Sequence, residues 1–482
     1  MRRLFYILLS AAMVMISCTD DDSFSTSRSD LLSFGCDTMS LDTVFSTVPT
    51  RTYSFWVHNN SSKGVRVSQV RLEHGNQTGF RVNVDGIYLD NSTGSQAQDI
   101  EVRKGDSIRV FVELTSSING SDVPELVSDN LTFRLESGVE QKVNLRAWSW
   151  DAVLYDSLIV DKDMTLSSTK PVVVRKGIRI DNTATLNIKS PATLYFGSTA
   201  GIDVYGKLNI EGNAGEDVVL RGDRLDHMFD YLPYDRVSGQ WRGIHIFPSS
   251  EGNRFRYLDL HSATDAIVCD SAEIKDSPRL TLENVTIHNC SGSGLYARHS
   301  NVSVTNSQIS NTAGDCLYLE GGKSNVTFST FAQFYPFDAQ RGAAVRLTDA
   351  EVTFLNSLVT GYGDDVFFAD SLDFRFDHCI VRTVIEDSAV IADNFPSSVI
   401  ETPKDSMQGE QHFKLVDIDN LVYDFRLDSL STAIGKAMPL ESVSSDRNGS
   451  PRSSSTPSIG CYEWIAPQSQ GAAAFRAVRR RR

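Results

Sequence analysis

The sequence predicts an all-β protein: a β-sandwich of short strands followed by a β-solenoid whose end is covered. Two observations carry that prediction. Across 482 residues, Val, Ile, Thr, Phe and Tyr fall in short alternating runs separated by Ser, Asn, Asp and Gly, and no long apolar stretch of helical period follows the first twenty residues. From about Phe255 to Asn394 one pattern is then rewritten line after line: RLTLENVTIHNCSGSGLYARHS, NVSVTNSQISNTAGDCLYLEGG, KSNVTFSTFAQFYPFDAQRGAAVRLTDA and EVTFLNSLVTGYGDDVFFADSL. Each line holds three short strands and the turns between them. Asn284, Asn306, Thr330, Asn356 and His378 stand at equivalent points, 22 to 26 residues apart. A strand-bearing period of that length is a solenoid's.

Charge and cysteine usage narrow the function. A net charge of −15 argues against nucleic acid, whose phosphates need clustered Lys and Arg. The basic run Arg479 to Arg482 belongs to a polar tail, 467–482, expected to be disordered. Cys36, Cys269, Cys290, Cys316, Cys379 and Cys461 show no CxxC or Cys/His metal spacing. They read as small apolar fillers at inward positions, although an oxidising compartment would let some pair. Neither a cofactor motif nor a metal-ligand pattern is present.

The chain opens with Arg2-Arg3, an apolar run from Leu4 to Ile16, and Ser17-Cys18. A basic start and a short apolar core ending at small residues is an export signal, too short to span a membrane as a helix. The Ser17-Cys18 junction resembles the lipobox of bacterial lipoproteins, with Met15 where Leu is usual. That resemblance implies lipidation (palmitate) at Cys18, signal peptide 1–18, and a lipid-anchored protein of the outer membrane. The acidic run Asp20-Asp21-Asp22 resembles the surface-export signal of lipoproteins from glycan-degrading Gram-negative bacteria, which implies display at the cell surface. The alternative is a cleaved secretory signal with a chance cysteine. Asp-Ser/Thr-aliphatic triplets, such as Asp106-Ser107-Ile108 and Asp428-Ser429-Leu430, resemble an O-glycosylation sequon of the same bacteria, though Asp-Ser is also common in turns.

After a polar tether, 19–33, the segment 34–150 alternates as a sandwich should. Its runs include Thr52 to Val57, Val65 to Leu72, Phe80 to Val84, Ser107 to Leu114, Leu131 to Leu135 and Lys142 to Trp148. About seven short strands fit an Ig-like β-sandwich, and FWVHNN resembles the strand-then-Asn element of Ig-like spacer modules. No catalytic constellation lies in it.

From Val153 the strands shorten and are broken by Gly or Asn-Thr, as in VVVRKGIRIDNTATLNIKSPATLYFGSTAGIDVYGKLNIEG. With the coils that follow, this region resembles the right-handed parallel β-helix family of pectate lyases and many surface proteins, assigned here to 153–400. The resemblance is specific to fold rather than to activity. The block 401–466, with YDFRLDSLSTAIG, DRNGSPR and IGCYE, resembles the closing segment of secreted β-helix proteins. It is expected to cap the last open coil, whose edges would otherwise pair with other chains.

Stacking the third strand of each line separates two faces. GIHIF, AIVCD, GLYAR, CLYLE, AVRLT and VFFAD align so that Ile244, Ile267, Leu295, Leu317, Val345 and Phe367 face the core. Period 2 then turns His245, Val268, Tyr296, Tyr318, Arg346 and Phe368 outward, with Phe247, Asp270, Arg298, Glu320, Thr348 and Asp370 two residues on. Flat rings beside charged groups suit a saccharide. Two insertions precede strands of this column. Arg221 to Gln240 brings Tyr231 and Tyr234, and Phe331 to Arg341 brings Phe334 and Tyr335; both are expected to project from one corner and wall the face into a groove. The opposing reading is that the rings and charges simply engage each other from rung to rung.

Catalysis finds less support. Asp270 and Glu320, two rungs of about 4.8 Å apart, fall near the ~6.5–9.5 Å separation of inverting glycosidases. Arg298 lies between them, however, and a cation there lowers the pKa of both, so neither would hold a proton to donate. Gly363-Asp364-Asp365 and Gly314-Asp315-Cys316 resemble the Gly-Asp-Asp turn of polygalacturonases, but that family's other motifs are missing. Arg298 and Arg346 are the candidate bases of a β-eliminating lyase. The sequence therefore favours a non-catalytic surface lipoprotein that binds or presents polysaccharide. The alternatives are a lyase or hydrolase acting on acidic glycans, and an adhesin or structural surface protein.

Overall fold

The computed structural model describes residues 23–369, 373–404 and 409–466. The signal segment with Cys18, residue Asp370 and the tail 467–482 lie outside them. The chain divides into two compact units, Met1–Asp151 and Ala152–Arg482.

The first unit is a sandwich of two five-stranded sheets. One sheet runs Leu32–Phe34, Tyr53–Asn59, Ser107–Leu114, Phe80–Val84, Ile87–Tyr88; the other runs Thr38–Phe45, Glu140–Trp150, Glu125–Leu135, Val65–Leu72, Gln96–Val102. Pairing is antiparallel except where Glu140–Trp150 lies parallel to Thr38–Phe45. Alternation does what it predicts: Ile108, Val110, Val112 and Leu114 are buried against Phe133, Leu145 and Val67. Asn59, the Asn that follows FWVH, is fully buried and its amide donates to the carbonyls of Lys63 and Val102.

The second unit is a stack of coils. Each complete coil gives one strand to each of three parallel sheets, of eleven, nine and nine strands, and strand order in every sheet follows chain order. The inward column of the eleven-stranded sheet runs Leu220, Leu260, Ile287, Ile309, Phe331, Val359, Val381. Coils turn at residues with positive φ: Tyr257, Asn284, Asn306, Phe328, Asn356 and His378 form one corner. Phe328, rather than Thr330, occupies that corner. Thr330 lies in the next strand opposite Gln308. Asn is favoured at such turns because its short polar side chain tolerates the left-handed region, and Phe carries no such signal.

Two devices finish the stack. Asp387 caps the short helix Ser388–Asn394, which delivers Phe395 onto the end of the core; Phe395 stacks on Phe376 at 5.2 Å, and Phe376 stacks on Phe354 at 4.3 Å. Most of the segment 401–466, expected to cap that end, lies instead along the outer face of the eleven-stranded sheet. Its hairpin Phe413–Asp417/Val422–Leu427 and Ile459 bury Leu358 and Ile380, apolar residues in an outward column. The corner residues hold it: Asn356 exchanges two hydrogen bonds with the backbone of Met438, and Asn306 accepts from Arg452 at 2.8 Å. Cys269, Cys290, Cys316 and Cys379 are unpaired and buried in the coil core.

Candidate functional site

The outward column on one nine-stranded sheet is His245, Val268, Tyr296, Tyr318, Arg346, Phe367. Phe367 faces out, 48% exposed, and Phe368 turns inward to stack on Phe374 at 4.5 Å. The expected outward position of Phe368 is thus corrected by one residue. Val366, Phe367 and Phe368 are all apolar, so period 2 had no polar residue to set its phase. Asp365 consequently takes the corner place held by Ala344 and Cys316 in the preceding coils, its carbonyl accepting from Val345.

Along this face the side chains engage one another. His245 Nε2 lies 2.8 Å from Asp270, which also binds Arg298. Tyr296 stacks on Tyr318 at 4.5 Å and donates its hydroxyl to Glu320. Arg346 pairs with Asp315 at 2.8 Å and covers the Phe367 ring. Burial opposes ionisation of Asp270, but the bonds from His245 and Arg298 outweigh it and hold the carboxyl below its ordinary range.

The two insertions do leave one corner, but they fold over the eleven-stranded sheet on its other side. Phe334 is fully buried between Phe413, Phe425 and Tyr362, a core residue rather than a groove wall. Tyr234 lies under the guanidinium of Arg224, 3.6 Å away. Tyr231 is exposed at the loop tip, stacked on Phe229. Tyr335 meets Phe337 edge-on at 5.6 Å.

What these loops wall, together with the C-terminal hairpin, is a groove of about 550 Å³. Its floor is the outward side of three neighbouring strands: Asp259 on Leu258–His261, Thr286 and His288 on Thr286–Cys290, and Gln308 and Ser310 on Gln308–Thr312, with His261 buried beside them opposite His288. Asp235 and Arg236 come from the first insertion, Tyr423 to Arg426 from the hairpin, and Arg447 and Tyr462 from the C-terminal segment. An adjoining apolar cavity of about 230 Å³ is lined by Met228, Leu232, Tyr335, Pro336 and Phe337, and shares Arg236, Asn311 and Tyr423 with the groove.

The description "right handed beta helix region" belongs to a family model that matches residues 167–332 and 242–402. The second unit is a right-handed parallel β-helix. No curated protein matches the chain. Among solved structures, the chain is similar to a protein of unknown function from Porphyromonas gingivalis, with 7% identity over 28% of this chain and 50% of that one at a TM-score of 0.19. It is also similar to an alpha-1,3-glucanase catalytic domain in complex with nigerose, with 8% identity over 74% and 88% and a TM-score of 0.24. A family 123 glycoside hydrolase from Clostridium perfringens gives 7%, 24%, 25% and 0.17. The chain spans half or less of the length of the first and last of these, and likenesses this low say nothing about activity.

On the β-helix floor, His261 sits between two carboxylates. Asp259 accepts from Nδ1 at 2.6 Å and Asp235 from Nε2 at 2.9 Å, and Arg221 binds Asp235 at 2.5 Å. Burial alone would strip the proton from this imidazole; Asp259 and Asp235 reverse that and raise its pKa to about 9. Burial likewise opposes charge on both carboxylates, yet the imidazoles beside them hold Asp235 at about 2 and Asp259 well below the usual range. His288 stacks on His261 at 4.7 Å and reaches Asp259 at 3.3 Å. Arg447 is tied to Asp217 at 2.8 Å and donates to Thr286. Asn311 and Tyr423 line the groove, and their Oδ1 and Oη atoms are buried out of its reach with no hydrogen-bond partner among the described residues.

Sequence reasoning missed this floor because it stacked the third strand of each line. Stacking the second, LDLHS over VTIHN over SQISN, puts Leu260, Ile287 and Ile309 in one column and flanks it with Asp259, His261, Thr286 and His288. The contributions of Arg447 and Tyr423 carry no such signal, since both arrive from more than a hundred residues away.

Proposed function

We propose that the β-helix is a non-catalytic carbohydrate-binding module whose ligand lies in the groove on the eleven-stranded sheet. The observation that carries this reading is the groove itself, about 550 Å³, which combines charged and polar side chains with an adjoining apolar end. A polyhydroxylated ligand supplies donors and acceptors for the polar side chains that line it, among them Arg236, Gln308, Ser310 and Arg426. The apolar cavity beside Tyr335 and Phe337 suits a sugar's flat face. Cleavage is disfavoured by the state of the acids. Asp235, Asp259 and Asp424 are all held below the ordinary carboxylate range, and a glycosidase needs one carboxyl that keeps its proton.

Affinity gels loaded with neutral and uronate-containing polysaccharides test the reading. Wild type is expected to be retarded, and Arg236→Ala or Tyr335→Ala to weaken binding about tenfold, the equivalent of 1.4 kcal/mol. The same gels with Tyr318→Ala ask whether the opposite ladder contributes. Absence of retardation, or equal retardation of both groove variants and wild type, sinks the proposal. Release of reducing sugar or unsaturated ends, abolished by His288→Ala, would replace it with an enzyme.

The start of the sequence supports a second part of the proposal, that lipid on Cys18 displays this module at the surface of an outer membrane. Labelled palmitate should enter the wild-type chain and not Cys18→Ala. Equal labelling of the two, or labelling of neither, removes the anchor.

A further inference from the structure

The floor of the groove holds a group of side chains whose geometry asks for more than hydrogen bonding. We propose that Asp259, His261 and His288 form a binding site for one divalent transition-metal ion, with zinc the best fit. The carboxylate and the two imidazoles offer ligand atoms that all lie within 4.8 Å of one another. His288 Nε2 stands 3.3 Å from Asp259 Oδ1. Ligands at about 2.0–2.1 Å from a tetrahedral zinc lie roughly 3.3 Å apart, so that pair already has the required spacing. His261 Nδ1, at 2.6 Å from the same oxygen, needs only a small opening to make room.

The surroundings are those of a built site. Asp259 and His261 share one strand and His288 lies directly opposite His261 on the next, so two adjacent rungs fix all three. Asp235 accepts from the far nitrogen of His261, the carboxylate–histidine arrangement that orients an imidazole toward a metal. Asp235 is itself fastened by Arg221, and the nearby cation Arg447 is neutralised by Asp217. Binding exchanges one ion for one proton: His261 Nδ1–H loses its proton to solvent, its lone pair goes to the metal, and Nε2–H stays on Asp235. Two nitrogens and one carboxylate oxygen favour zinc, cobalt or nickel over calcium or magnesium. Asp259 and His288 line the groove, so a fourth position opens there, where water or an oxygen of a bound ligand completes the shell. No metal-ligand spacing shows in the sequence because the ligands are divided between two coils. The site does not depend on whether a glycan lies above it.

The test uses the full chain without a polyhistidine tag, stripped with chelator and titrated with Co²⁺ and with Zn²⁺. The expected result is one equivalent per chain, the visible absorption of four-coordinate cobalt, its displacement by zinc, and no comparable response to Ca²⁺. His288→Ala and Asp259→Asn should weaken binding at least a hundredfold. Asp235→Asn leaves all three ligands in place and should weaken it about 10- to 100-fold. Thermal melting of each metal-free variant shows that it is folded; should His288→Ala not fold, His288→Gln and Asp235→Asn carry the comparison. Lack of saturable binding by wild type, an octahedral cobalt spectrum, or unchanged affinity in the folded variants would overturn the site.

Discussion

Asp365 shows how much one residue's place in a coil changes its chemistry. It occupies a corner where earlier coils put Ala344 and Cys316, and it is 2% exposed. Burial raises its carboxyl to about 7 against the pull of Arg341 and Arg382. The folded state therefore holds a proton that the unfolded chain releases near its ordinary carboxylate value. The favourable contribution is complete below the unfolded pKa and is lost as pH rises toward about 7, with a slope of at most about 1.4 kcal/mol per pH unit. Asp365→Asn keeps a neutral acceptor for Gly363 N–H and should flatten that slope, leaving the variant more stable than wild type at pH 8 and much closer to it at pH 5. Urea unfolding at the two pH values decides; an equal difference at both would refute the assignment. In the same Gly-Asp-Asp turn, Asp364 accepts from Thr383 at 2.8 Å.

At the scale of elements, register and loop direction separate what pattern shows from what packing decides. Five of the six ladder strands keep the phase that apolar alternation predicts, from Ile244 to Val345. The sixth slips at Val366–Phe368, where alternation is absent. The short helix Ser388–Asn394 has no apolar period to announce it, yet it positions the residue that closes the core. Phe395→Ala should cost about 3–5 kcal/mol locally. Because each coil contacts only its neighbours, the loss should stay near the end. Hydrogen exchange is expected to show lost protection over Val366–Phe368 and Asp373–Asp377, with the coils before Leu317 unchanged. Uniform loss across the stack, or no loss at all, would contradict the plug.

For the whole molecule, two separate cores explain the two units. Val67, Val110, Leu131 and Phe133 belong to the sandwich, whereas Leu260, Ile287, Ile309 and Phe354 belong to the coils. A third cluster, around Phe334, Leu358, Phe413 and Phe425, joins the outer face of the β-helix to its C-terminal segment. That segment is what turns a flat outer face into a groove. The apolar outward residues Leu358 and Ile380 need cover, and the chain that covers them also carries Tyr423, Arg426, Arg447 and Tyr462 to the charged floor beside them. Closing the side of the solenoid and building its groove are one event.

The sequence alone specifies the two β architectures, most of the strands and the inward columns, because period-2 alternation and turn residues are local signals whose physics needs only near neighbours. It also placed both insertions at one corner. Which sheet they cover, the place of Phe334 in the core, and the meeting of Asp235, Asp259, His261 and His288 emerge only in the folded chain. Those outcomes depend on the path of the loops and on apolar surface buried between segments far apart in the chain. His245, Asp270, Tyr296, Arg298, Tyr318, Glu320 and Arg346 share a face as alternation requires, while the groove lies across the corner from them.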